Sequence, residues 1–334
     1  MTYNITLILG DGIGPEVVNS ARRIIEATGI SIDWDIVEAG DVAMKKHGTP
    51  LPAFVIDSIR ENGVALKGPI TTPVGRGFKS VNVRLRQELE LFANVRPIKS
   101  FNGIDSLHQG VDLIIVRENT EDLYAGIEHM VGGEAAESIK IITRKASERI
   151  CRFAFELARS QNRKKVTLVH KANIMKLSDG LFLECGNRCA EKYDDILFED
   201  MIVDAMSMKL VQFPQNYDII VAPNLYGDIL SDLSAGLIGG LGLAAGANIG
   251  HDIAVFEPVH GSALDISGKG IANPTSAILS GIMLLKHIGE FEPARRIEDA
   301  LAQVFEDESN RTPDLGGDLG TKEFTQRIID KMME

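Results

Sequence analysis

Short apolar runs alternate along the chain with longer stretches in which apolar positions recur every three or four residues. Residues 5–9, 64–66, 113–116, 166–169 and 219–222 are runs of strand length bounded by turn or polar residues, which predicts buried strands. Between and after them, the helical period predicts helices over 15–27, 51–61, 146–160, 175–192, 273–287 and 293–305. Such alternation predicts an α/β fold with a largely parallel sheet. Residues 231–248 are rich in glycine and other small residues, which predicts backbones in close approach. The 334 residues suit about two domains. No repeat, low-complexity tract or linker separates two halves, which points to domains that share the chain discontinuously.

Charge narrows the partners. With 35 Lys+Arg against 47 Asp+Glu the formal net charge is −12, which argues against nucleic acid and anionic membranes as partners. No window approaches the ~20 apolar residues that a membrane span needs. The acidity is uneven, however. Residues 76–99 hold Arg76, Lys79, Arg84, Arg86, Arg96 and Lys99 against Glu88 and Glu90, a local +4, so the remainder carries −16. Guanidinium groups grip carboxylates bidentately, and such a cluster suits a small polyanion as well as it suits a solvated helix face. Three cysteines, Cys151, Cys185 and Cys189, are too few for a disulfide framework and match no common zinc spacing. The chain's start lacks the features of a secretory signal, and with reduced thiols this predicts a cytoplasmic protein.

Several segments carry candidate chemistry. Gly10, Gly12 and Gly14 invite a dinucleotide fingerprint, but Pro15 and Glu16 follow, and Asp11 and Glu16 would repel a pyrophosphate. A tight strand-to-helix turn is the better reading. Arg117 and Tyr124 follow an apolar strand, where α/β proteins place their sites; Tyr124 suits a general acid if neighbouring cations lower its pKa. Lys171 also follows a strand and becomes a base if desolvated or crowded by cations. Asp228 and Asp232 stand four apart on a small, apolar helix, so their carboxylates share a face that suits Mg2+ or Mn2+. Residues 255–274 read as a loop dense in glycine that brings backbone N–H groups and His260 toward a ligand.

Together GDGIGPE, NLYGDILSD, EPVHGSA, GIANP and TPDLGGDLGT resemble the β-decarboxylating dehydrogenases, which comprise isocitrate, isopropylmalate and homoisocitrate dehydrogenases, and the likeness covers nearly the whole chain. The resemblance implies a two-domain α/β fold of the isocitrate/isopropylmalate dehydrogenase kind rather than a Rossmann fold. It further implies a large cofactor-binding domain from residues 1–99 and 239–334, and a small domain, 100–238, that forms the interface of a homodimer or of a higher assembly. Active sites shared between subunits follow from the same likeness.

Residue by residue, Ser80, Asn82, Arg86, Arg96 and Arg117 match the family's substrate-binding positions, with Tyr124 its acid and Lys171 its base supplied by the neighbouring subunit. Asp228 and Asp232 match metal ligands from one subunit, and Asp204 the ligand from the other. Glu257, His260, Gly261, Ser262, Ala263, Asp265, Ile266 and Asn273 match the cofactor loop. NADP enzymes of the family carry a Lys-Tyr pair where this chain has Asp265-Ile266. An aspartate there accepts both ribose hydroxyls and repels a 2′-phosphate, which implies NAD. Leu264 departs from the family's usual proline. Ser80 and Asn82, where isopropylmalate enzymes place apolar residues, resemble isocitrate dehydrogenases. Homoisocitrate is the runner-up, because a single methylene discriminates by only about 1–3 kcal/mol. A noncatalytic regulatory subunit is a further alternative, disfavoured because the Tyr, Lys and Asp set is complete.

Overall fold

The computed structural model describes residues 2–72 and 80–334. Arg76 and Lys79 of the basic run lie outside the described residues.

The first unit is a parallel β-α-β turn of chain. β1 (Tyr3–Ile8) enters α1 (Gly14–Ala27), which buries Val17, Val18, Ala21, Ile24 and Ile25 along one stripe and has proline in its first turn, where the missing N–H costs nothing. β2 (Ile32–Val37) pairs parallel with β1. After α2 (Asp41–His47) and α3 (Ala53–Asn62), β3 (Val64–Lys67) pairs parallel with β1 on its other side. The basic run then divides into α4 (Val81–Glu88), capped by the Ser80 hydroxyl, and β4 (Ala93–Lys99).

The middle of the chain begins with β5 (Asp112–Glu118). A hairpin of β6 (Glu128–Val131) and β7 (Ala135–Ser138) follows, exposed at every residue and paired only with itself. Next come α5 (Arg144–Ser160), β8 (Lys165–His170), α6 (Ser178–Ala190), β9 (Leu197–Ile202), α7 (Val203–Gln212), β10 (Ile219–Ala222) and α8 (Asn224–Leu237). The chain closes with β11 (Ala245–Ile249), β12 (Ala254–Pro258), α9 (Thr275–His287), α10 (Phe291–Glu306) and α11 (Thr321–Met333).

All strands except the hairpin join one ten-stranded sheet in the order β2-β1-β3-β12-β11-β4-β5-β10-β8-β9. Both flanks are parallel, but β4 and β11 run antiparallel to their neighbours at the centre. Helices cover both faces, and apolar side chains pack beneath them in a large cluster and a smaller one that includes Ile8, Val55, Ile59 and Leu85. Among the described residues no helix is long and apolar enough to cross a membrane.

Every predicted strand and helix is present within a few residues of its expected bounds. The differences are local. The small-residue stretch 231–248 is the second half of α8 followed by β11; its close approach occurs at Gly246, where a Cβ would stand 2.9 Å from the Glu257 carbonyl oxygen. Residues 255–258 of the expected loop are strand, because Val255 and Phe256 are buried in the sheet. The GDGIGPE segment is the tight turn expected of it. Gly12 there has φ +59°, and a Cβ would meet the Ser262 carbonyl oxygen at 1.9 Å, so only glycine fits.

Candidate active site

Three arginines from three elements converge where the two flanks of the sheet meet. Arg86 is on α4, Arg96 on β4 and Arg117 on β5; each is buried. Arg117 Nε donates to Asn224 Oδ1 at 2.8 Å, its Nη1 donates to Asp228, and its guanidinium lies 4.9 Å over the Tyr124 ring. Burial and the neighbouring Arg86 pull its pKa down to about 10. Gly227 makes this fit, since a Cβ there would stand 2.6 Å from Arg117 Cβ.

α8 supplies the opposing acids. Asp228 and Asp232 stand one turn apart and both meet Arg96, at 3.5 Å and 2.8 Å. Burial pushes the Asp228 carboxyl up, but Arg117, the Tyr124 hydroxyl and Arg96 outweigh it and hold the group below the usual range. Burial raises Asp232, only partly offset by Arg96. Tyr124 donates to Asp228 Oδ2 at 2.5 Å. Contrary to the expectation of a cation-lowered phenol, its pKa is raised, because burial and the Asp228 contact exceed the pull of Arg117. The phenol is thus held protonated and remains a donor.

Arg86 and Arg96 also line a cavity of about 140 Å3 together with Lys67, Asn82, Glu257 and His260. Its floor is a polar chain through the apolar centre of the sheet. Arg96 Nε donates to Asn94 Oδ1 (2.9 Å), Asn94 Nδ2 to Asn248 Oδ1 (2.9 Å), and Asn248 Nδ2 to Glu257 Oε1 (2.7 Å), while Lys67 Nζ meets Glu257 Oε2 at 2.6 Å. Burial would raise Glu257, yet Lys67 and Arg86 bring its pKa down to about 2. The candidate cofactor residue Glu257 is therefore tied to the arginine cluster. Lys67, Asn94 and Asn248 were missed from sequence. The available signal was polar residues interrupting otherwise apolar strands, VALK, FANVR and AGANI.

Several buried polar atoms here have no hydrogen-bond partner among the described residues: Asn82 Oδ1, Arg86 Nε, Arg117 Nη2 and His260 Nε2. Buried polar groups are normally satisfied, so these atoms fit a polar, anionic ligand. Ser80, the α4 cap, accepts from the Thr72 hydroxyl at 3.2 Å.

The loop after β12 is anchored on the β1–α1 turn. Ile13 N–H donates to the Ser262 carbonyl (2.9 Å), Gly268 N–H to Glu16 Oε1 (2.7 Å), and the Thr71 and Ser262 hydroxyls pair at 2.9 Å. Asp11 holds the same corner by accepting from Asp41 N–H (2.8 Å) and Thr71 N–H (2.9 Å). Those acids, which argued against a pyrophosphate at the turn, act as struts. Ala263 adopts φ +39°, a strained value for an L-residue, beside the exposed Leu264 and Asp265. Ile266 is half-buried, Gly261 has open space before its Cβ direction, and Asn273 is committed inward, donating to Asp314 Oδ2 and accepting from Thr275 N–H, both at 3.0 Å. Burial lowers the pKa of His260 and keeps the ring neutral. Neutral His260, backbone N–H groups and an exposed carboxylate fit the uncharged ribose and amide parts of a dinucleotide.

Lys171 and Asp204 lie apart from this cluster within the chain. They pair with each other at the surface, and this contact holds the Asp204 carboxyl low. Within one chain the Lys171 side chain is 25% exposed and its ammonium meets Asp204. Among the described residues no cluster of three or more His, Cys, Asp or Glu side chains could hold a metal. The carboxylates of Asp228 and Asp232 are of the right chemistry for a hard cation, but one chain brings only two together.

Comparison with known proteins decides the family. The profile described as isocitrate/isopropylmalate dehydrogenase matches residues 4–329. The chain belongs to this family. Its members are oxidoreductases, and the α/β architecture is the family's own. A solved isocitrate dehydrogenase from Methylococcus capsulatus shares 58% identity and a TM-score of 0.98, covering 99% of this chain and 100% of that one. A probable mitochondrial isocitrate dehydrogenase [NAD] subunit alpha from Drosophila melanogaster is 46% identical over 99% of this chain and 88% of its own. A 3-isopropylmalate dehydrogenase from Archaeoglobus fulgidus is 48% identical over 97% and 98%. Likeness therefore fixes the family and leaves the substrate to the pocket.

Proposed function

We propose that this chain is an NAD-dependent isocitrate dehydrogenase that oxidises isocitrate and decarboxylates it to 2-oxoglutarate and CO2. The observation that carries the reading is the polar wall that Asn82 and Arg86 of α4 form in the cavity, with Ser80 capping the start of that helix. A third carboxylate satisfies such a wall; an isopropyl group leaves its polar atoms unpaired, at about 1–3 kcal/mol each. Arg86, Arg96 and Arg117 hold the remaining carboxylates and orient the substrate.

A divalent cation, Mg2+ or Mn2+, would be held by Asp228 and Asp232 with Asp204 from a second copy of the chain; when bound it acidifies the substrate hydroxyl and steadies negative charge as CO2 leaves. NAD would be held by Glu257, His260, Gly261, Ser262, Ala263, Asp265, Ile266 and Asn273, and would supply the hydride acceptor. Lys171 from the second copy takes the hydroxyl proton, and Tyr124 returns a proton to carbon after CO2 departs. The protonated state of Tyr124 suits that role.

A homodimer is supported by the surface. The unpartnered β6–β7 hairpin and exposed Met130, Leu177, Met208, Val211, Phe213 and Ile229 all fall within 100–238, and an isolated hairpin is marginal in water. The division into 1–99 with 239–334 and 100–238 is supported by the sheet, because strands of the two sets fill opposite sides of the β4–β5 junction. Three free, buried thiols suit a reducing compartment such as the cytoplasm, although the fly relative is named mitochondrial.

The archaeal relative favours a second reading, 3-isopropylmalate oxidation. Measuring kcat/KM for isocitrate, homoisocitrate and 3-isopropylmalate with NAD and with NADP separates the readings. Isocitrate with NAD is expected to be fastest. A higher value for 3-isopropylmalate defeats the Ser80/Asn82 reading, and a higher value with NADP defeats that of Asp265.

A further inference from the structure

α5 presents Arg144, Lys145, Glu148, Arg149 and Arg152 along one face, and His251 from the β11–β12 turn closes the opposite side. These six residues line a concavity of about 460 Å3, and none of them lines the cavity between Lys67 and His260. Four cations against one carboxylate stand out in a chain of net charge −12.

A solvated basic face does not account for three features. Arg144 and Lys145 occupy the first turn of a 17-residue helix that has no acidic residue in that turn, the end where the helix dipole disfavours cations and welcomes anions. Arg144 pairs with Glu184 at 3.0 Å, yet among the described residues neither Lys145 nor Arg152 has a carboxylate within ion-pair reach. Arg149 is stacked 4.5 Å over Phe92 with Nη2 donating to the Thr120 hydroxyl at 3.2 Å, and its buried Nε has no hydrogen-bond partner among the described residues. Lys145 and Arg152 without counter-charge, beside an Arg149 packed on Phe92 and Thr120, on a concave wall from two separate elements, form an anion receptor.

We infer that this concavity is a second binding site, for a small polyanion bearing two or more phosphate or carboxylate groups. Its connection to the active site is Arg149. Beneath the concavity Arg149 lies 3.7 Å from Glu118, and Glu118 accepts the N–H groups of Thr120 (2.9 Å) and Glu121 (3.0 Å), which begin the segment between Arg117 and Tyr124. A polyanion that draws Arg149 outward loosens that segment and changes the substrate KM.

Inorganic triphosphate and citrate, titrated calorimetrically into the full chain in metal-free buffer, test the site. Comparison with a Lys145→Glu/Arg152→Glu variant isolates it from any binding at Arg86, Arg96 and Arg117. Both altered residues are exposed and outside the catalytic set, so kcat is expected to be unchanged. The wild type is expected to bind one more equivalent than the variant, or to bind at least about tenfold tighter, with affinity falling as salt rises. A difference with triphosphate alone assigns the site to phosphates, and with citrate alone to carboxylates. Identical isotherms for wild type and variant with both ligands overturn the inference. Because the readout is binding in the absence of substrate, it stands or falls separately from the identity of the substrate.

Discussion

Two lysine–carboxylate pairs in this molecule have the same chemistry and opposite surroundings. Lys67 and Glu257 are paired at 2.6 Å in the sheet interior, with the lysine side chain 2% exposed. Lys171 and Asp204 are paired at the surface, with side-chain exposures of 25% and 61%. The interior pair is held by Asn248 and Arg86 and cannot separate without leaving a charge in an apolar medium. The surface pair gains little from its contact and is free to exchange partners. Permanence suits a scaffold beneath a pocket; exchange suits groups that serve a site completed by another chain.

The largest effect expected from this contrast is on turnover. Lys171→Met should lower kcat by about 10²–10⁴-fold while changing unfolding stability by less than ~1 kcal/mol. Steady-state rates and urea titration of the same sample check both, and normal turnover would remove Lys171 from the reaction. Next comes Lys67→Met, which strands Glu257 and should cost about 3–5 kcal/mol of stability. The double change Lys67→Met/Glu257→Leu should recover part of that loss, since the lysine and carboxylate charges are removed together while Arg86 gives up its 3.4 Å contact with Glu257; a double variant no more stable than the single would show that packing, not charge, dominates.

Acid sharpens the contrast further. The Glu257 pKa falls from 4.5 to about 2 on folding, so its contribution is complete above pH 4.5 and disappears as pH falls through 2. That shift corresponds to something on the order of 3 kcal/mol. Urea midpoints between pH 6 and 3 should therefore depend on pH more steeply in the wild type than in the double variant. Asp204 is exposed and held low only by its surface contact with Lys171, so Asp204→Asn should flatten the same pH profile far less than the double variant does. The smallest effect belongs to another exposed carboxylate. Asp265→Ala should reduce the NAD-over-NADP preference in kcat/KM about tenfold, or ~1.4 kcal/mol; an unchanged ratio would place cofactor choice elsewhere on the loop.

The candidate site was legible in the sequence where its residues sit in long motifs. Arg86, Arg96, Arg117, Tyr124, Asp228 and Asp232 were all singled out, and the structure brings them together. Lys67, Asn94 and Asn248 were not, because a single polar residue at or near the end of an apolar strand resembles any strand end. Its meaning depends on a partner as far away as Glu257. The direction of the Tyr124 shift was also misjudged, since a neighbouring arginine is visible in sequence and burial is not.

Periodicity determined the α/β class and the positions of the major helices and flanking strands, because burial of one face leaves a local imprint on every few residues. Motifs determined the family and its acid and arginine sets. Only the tertiary structure decided that β4 and β11 run antiparallel at the sheet's centre, that Asp11 braces Thr71 and Glu16 the loop after β12, and that Lys67 faces Glu257. Those outcomes depend on contacts between residues tens to hundreds of positions apart. They also depend on the desolvation that comes with them, which no local pattern encodes.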